Sequence, residues 1–114
     1  MLITGLREAR RERLEKELAR MTEELIHLGA EKVILFGSLA RGKTTKSSDL
    51  DLIVVMPSEQ PFLARWEEVY VKLLPGVDTD LLVYTPEEFE EKQQTSPAFR
   101  HMLKDGKVLY AAGS

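Results

Sequence analysis

With 114 residues, 43% of them hydrophobic and 31% charged, the chain has the composition of a globular protein and enough length for one domain, residues 1–114, with a buried core. It contains no cysteine, which excludes disulfides and thiolate metal sites, and no apolar run near the ~20 residues that a membrane-spanning helix needs. The net charge of −3 speaks against a protein that coats nucleic acid, and Met1-Leu2-Ile3 runs into charged residues without a signal-peptide layout, so a cytoplasmic location is expected.

From about Leu6 to Leu28, the apolar residues Leu14, Leu18, Met21, Leu25 and Leu28 recur at alternating spacings of four and three, the period of an amphipathic helix. Packing on a sheet is the ordinary use of such a stripe. A partner-binding seam is the sharper alternative, although barely two heptads is short for a coiled coil. Gly29 ends the helix, and Lys32 to Phe36 is a short apolar run of strand type. Gly37-Ser38 breaks it; Ser38 to about Arg41 suits a turn of helix, and Gly42 to Ser48 is a polar loop. Leu50 to Met56 is again unbroken and apolar, as expected of a strand covered on both faces.

Pro57 to Pro61 marks a turn into a helix whose apolar stripe is Phe62, Trp66, Val69, Tyr70 and Leu73, stopped by Pro75-Gly76. Asp78 to Tyr84 reads as a third strand. Thr85-Pro86-Glu87-Glu88 then has the form of a capping box with proline at the first helical position, and Ser96-Pro97 repeats the signal more weakly. The helix after Ser96 should turn Phe99, Met102 and Leu103 inward and end at Gly106, before a last strand from Val108 to Ala111. Trp66, Tyr70, Phe99 and the four methionines are assigned to the core. His27 and His101 have no second ligand at metal spacing.

Charge is spread unevenly along this pattern. Residues 1–56 carry ten Lys/Arg against nine Asp/Glu, and residues 57–114 carry six against ten, so the acid-free basic loop from Arg41 to Lys46 stands out. Gly37-Ser38-Leu39-Ala40-Arg41-Gly42-Lys43-Thr44 matches the G-x-x-x-x-G-K-[ST] pattern of a P-loop. A P-loop also needs a helix beginning at its Lys-Thr, to aim amides at the phosphates. Here polar residues lead at once into the next strand, which leaves no room for that helix.

The same glycine can instead be counted with the acids downstream of it, as Gly37-Ser38, ten residues, then Asp49-x-Asp51. Two acids two apart on a strand point to one face. Carboxylates about 5 Å apart repel by roughly 3 kcal/mol at an effective dielectric of 20, and a divalent cation removes that cost. Oxygen ligands without His or Cys favour Mg²⁺ or Mn²⁺, which also bind triphosphate oxygens. A third carboxylate is expected from another strand, where Asp78 and Asp80 share a face and both qualify.

Phe36-Gly37-Ser38-Leu39-Ala40-Arg41-Gly42 with Ser48-Asp49-Leu50-Asp51-Leu52-Ile53-Val54, supported by the run from Asp80 to Phe89, resembles the polymerase-beta-like nucleotidyltransferase superfamily, and most closely its minimal single-domain members. The resemblance implies an α/β (α+β) fold: a small mixed sheet of three to four strands with helices packed on it, the palm-like fold of nucleotidyltransferases. It implies transfer of a nucleoside monophosphate, AMP from ATP or its equivalent from another NTP, to a hydroxyl with release of pyrophosphate. By position, Gly37 and Ser38 would bind the triphosphate, with Arg41 and Ser48 as further nucleotide-binding residues. Asp49 and Asp51 would ligate two Mg²⁺ ions, or Mn²⁺ in their place. Asp80, preferred over Asp78 because it matches the Asp-Leu-Leu-Val-Tyr-Thr run, would complete the metal-binding triad and help deprotonate the acceptor.

Larger relatives carry extra domains for the acceptor, so here the acceptor is expected at an interface or is itself a protein. Minimal members of this type are often antitoxins that add AMP to a helical toxin, and the first helix offers a spare stripe for docking. The alternatives are a nucleotide-binding or toxin-docking module without transfer, and a transferase acting on a small molecule. Nucleic acid is not expected as the direct substrate, no membrane association is expected, and a homo-oligomer is left open.

Overall fold

The apolar runs pair into a sheet whose two faces are covered by different helices. The computed structural model of the chain describes residues 2–36 and 49–113. In chain order its elements are α1 (Leu2–His27), β1 (Lys32–Phe36), β2 (Leu50–Val55), α2 (Phe62–Leu73), β3 (Thr79–Tyr84), α3 (Pro86–Thr95), α4 (Pro97–Lys104) and β4 (Lys107–Ala111). Among the described residues, four strands form one mixed sheet in the order β3-β2-β1-β4. β1 is antiparallel to β2 and β4, whereas β2 and β3 are parallel and are joined through α2, the crossover that a parallel pair requires. No described helix is long and apolar enough to cross a membrane.

Alternation along the strands sorts the core into two clusters. Val33 and Leu35, Leu50, Leu52 and Val54, and Leu81 and Val83 face α1 and α2, where Leu14, Met21, Leu25, Val69 and Leu73 close the layer. Each such side chain, fully buried, stabilises the fold by about 1.5–3 kcal/mol. The stripe expected on α1 is therefore consumed by its own sheet and by α2. It is not a spare docking seam, because Leu14, Met21 and Leu25 are buried in that cluster and Leu18 and Leu28 are partly buried against it.

On the opposite face, Ile34, Phe36, Ile53, Val55 and Tyr84 meet Phe89 of α3 and Phe99 of α4. The Phe99 ring sits edge-on to both Tyr84 and Phe89, at centroid distances of 5.9 and 5.7 Å. Burial here pushes the Tyr84 hydroxyl above its ordinary pKa.

Local chemistry explains the helix ends. Gly29 adopts φ +106°, a backbone state open mainly to glycine, and ends α1 as expected. The Thr85 box forms in full: Thr85 Oγ1 accepts from the Glu88 N–H at 3.1 Å, and Glu88 Oε1 accepts from the Thr85 N–H at 3.0 Å. Ser96 Oγ caps α4 by accepting from the Phe99 N–H.

Some expectations change. Met102 is 40% exposed instead of core, because α4 has only eight residues and Phe99 takes its covered face. Arg65, which nothing in the sequence pattern marks as interior, is 3% exposed. Its guanidinium donates to Glu88 Oε1 at 2.7 Å and to the carbonyls of Val83 and Gln60 at 2.8 and 2.9 Å, tying α2 to the β3–α3 corner. That bond to Arg65 holds the Glu88 carboxyl below the usual carboxylate range. The helical turn expected from Ser38 to Arg41, the loop from Gly42 to Ser48, and Met1 lie outside the described residues.

Candidate functional site

Because β2 and β3 are parallel and in register, Asp51 stands directly beside Asp80, and Phe36 of β1 completes the row on the other side of Asp51. Neighbouring strands are about 4.8 Å apart, so the two acids emerge as adjacent side chains on one face. It is the face of Ile34, Ile53 and Tyr84, but α3 and α4 cover only the rows further along. Among the described residues, the end beyond these helices becomes a cavity of about 410 Å³, within the usual range for small-molecule sites. Its lining includes Phe36, Asp51, Ile53, Asp80, Met102 and Asp105, and it also takes in Leu52, Thr79, Leu81 and Leu82 of the strands and Trp66 of α2.

The end of α4 brings Met102 to this cavity, and the α4–β4 turn brings Asp105. Gly106 makes that possible by close approach: a Cβ there would lie 2.8 Å from the Phe36 ring and 2.9 Å from Ile34 Cγ2. Asp78, the rival third carboxylate, does not line the cavity among the described residues. Its main chain instead pairs with the residues before and at the start of β2, its carbonyl accepting from the N–H groups of Asp49 at 2.9 Å and Leu50 at 3.1 Å.

Asp49 lies one residue before β2, and its carboxylate is engaged away from the Asp51–Asp80 row. Oδ1 accepts from Arg10 Nη2 of α1 in a close ion pair, and Oδ2 accepts from the Asp78 N–H at 3.3 Å. Nothing in the sequence pattern singles out Arg10, which looks like one more charge on the polar side of α1 and is 39 residues away. Gly37, Ser38, Arg41 and Ser48 lie outside the described residues.

The donor set suits a hard cation: Asp51 and Asp80 place carboxylates at the cavity wall, and its described lining includes no cysteine or histidine. Among the described residues no three His, Cys, Asp or Glu side chains are grouped as a metal would need, consistent with Asp49 being turned to Arg10. By the chemistry of their oxygens Asp51 and Asp80 fit a divalent ion.

Residues 11–110 match the family described as nucleotidyltransferase domain. A Methanocaldococcus jannaschii protein, provisionally named a protein adenylyltransferase, is 37% identical over 81 residues, which are 69% of this chain and 77% of that protein. Among solved structures, a provisionally named nucleotidyltransferase from Sulfolobus solfataricus superposes with a TM-score of 0.64 at 22% identity, covering 91% of this chain and 86% of the other. A chain from a variant of the toxin–antitoxin complex MntA–HpeT superposes at 0.53 with 20% identity, covering 88% and 74%. At such identities these two structures bear on the fold alone.

Proposed function

This chain belongs to the nucleotidyltransferase domain family, and from that premise we propose that it transfers AMP from ATP to a hydroxyl on a partner protein. The acceptor oxygen bonds to the α-phosphorus, the bond from that phosphorus to the bridging β-phosphate oxygen breaks, and pyrophosphate leaves. The Asp80 carboxylate takes the acceptor's proton. Gly37 and Ser38 hold the triphosphate, Ser48 is a further nucleotide-binding residue, and Arg41 neutralises charge that builds on the leaving pyrophosphate.

Asp51 and Asp80, joined by Asp49, would hold the metal. Mg²⁺, as two ions or with Mn²⁺ in its place, would supply charge neutralisation for the transfer. What carries the proposal is the register that sets Asp51 beside Asp80 on the wall of a cavity of nucleotide scale, in a chain of this family.

The protein acceptor is supported by the name of the Methanocaldococcus jannaschii relative. By analogy with the fold's occurrence in a toxin–antitoxin complex, the acceptor is a helical toxin encoded beside this chain, with this protein as the antitoxin. The test is incubation with α-labelled ATP, Mg²⁺ and the product of the adjacent gene. Label is expected on that product and is expected to disappear with Asp51→Asn. Binding of ATP without label on any partner would contradict transfer.

A further inference from the structure

Arg10 reaches Asp49 from a helix that is firmly moored. Three more residues of the same α1 stripe, Arg13, Glu17 and Arg20, hook the connection between α2 and β3. Arg20 Nη2 donates to the carbonyls of Leu73 and Leu74 at 3.1 Å each, Arg13 Nη2 donates to the Gly76 carbonyl at 3.3 Å, and the Glu17 carboxylate accepts from the Gly76 N–H. The bond from Arg20 also holds Glu17 below the usual carboxylate range. The spacing of three, four and three along α1 sets Arg10 one turn before Arg13, so the mooring that fixes the entry to β3 also delivers a guanidinium to Asp49.

We propose that Arg10 is a positioning residue that competes with divalent metal for the Asp49 carboxylate, holding it on the α1 side until metal takes Arg10's place. This rests on the proposed metal-binding role of Asp49, Asp51 and Asp80. A guanidinium and a divalent cation within about 5 Å of each other repel strongly, so a carboxylate between them favours one or the other. The exchange is cheap on the arginine side: the Arg10 side chain is 51% exposed and Asp49 26%, so the released guanidinium is readily hydrated. Asp49 is then the ligand that reports loading, and α1 senses it through Arg10.

The test is titration of the full chain with Mn²⁺ alone, free metal being read by electron paramagnetic resonance. Arg10→Gln is expected to bind Mn²⁺ about fivefold more tightly than the wild type, about the most that a partly exposed ion pair contributes. Arg10→Lys is expected to lie between the two, Arg13→Gln to change affinity less than about twofold, and Asp51→Asn to weaken it at least about tenfold. Thermal melting gives a second readout: the loss of Tm in Arg10→Gln should be present without metal and vanish at saturating Mn²⁺, whereas a merely structural pair would leave it constant. Unchanged or weaker Mn²⁺ binding by Arg10→Gln, with Asp51→Asn still impaired, overturns the competition and leaves the metal site standing. Binding that is absent, or indifferent to Asp51→Asn, overturns the metal site and the competition together.

Discussion

The two faces of the sheet are built from the same strands and finished differently. Towards α1 and α2 the apolar rows run to the very start of the strands, with Leu50 fully buried and Leu81 and Thr79 nearly so. Towards α3 and α4 the cover is partial: Phe89 and Phe99 cap Ile34, Val55 and Tyr84, while the row of Phe36, Asp51 and Asp80 and the exposed Leu82 of the next row line the cavity. Because successive residues of β2 point to opposite faces, Leu50 and Leu52 anchor the strand while Asp51 between them is offered to a ligand. The closed face makes the row rigid, and the incomplete layer makes it useful.

Breaking the closed face should cost the most in stability. Leu25→Ala, at a fully buried position of α1, is expected to lose about 2–5 kcal/mol in chemical denaturation, while ATP affinity of the remaining folded protein stays near that of the wild type. On the open face, Gly106→Ala should cost less, about 1–3 kcal/mol, because its Cβ must displace the Phe36 ring or the turn itself. Since that turn carries Asp105 to the cavity, the same variant should also raise the KM for ATP several-fold.

The smallest effect belongs to the corner behind the open face. Glu88 has a depressed carboxyl pKa through Arg65, so its contribution is present at pH values above the ordinary carboxylate range and is lost as pH falls through the lowered value. Glu88→Gln should therefore lower Tm at neutral pH by a few degrees, with the gap closing as pH falls below the ordinary carboxylate range. A gap that widens on acidification would contradict this sign.

The closed face was the more legible of the two in the sequence. Leu14, Met21 and Leu25 repeat with the helical period, so neighbours along the chain suffice to find its stripe, as they also do for the Thr85–Glu88 box at the start of α3. The open face depends on partners that arrive from afar. Asp78 and Asp80 have the same strand parity, and only the pairing of β3 with β2 tells which one stands beside Asp51. Arg65 looks like a surface arginine until Glu88, 23 residues on, meets it beneath the β3–α3 corner. Arg10 likewise differs from its charged neighbours only through Asp49, and Met102 turns outward because α4 is too short to bury a second row. Spacing finds the acids; register decides which of them meet.

The most direct test of the central claim, that the Asp51–Asp80 row performs the transfer, is single-turnover transfer from α-labelled ATP to the partner by Asp80→Asn compared with Asp78→Asn. Loss of about 10³-fold or more is expected for Asp80→Asn, with Asp78→Asn within about tenfold of the wild type because its side chain is away from the cavity lining. Retained transfer in Asp80→Asn together with loss in Asp78→Asn would contradict the assignment and move the site to the Asp49–Asp78 pairing.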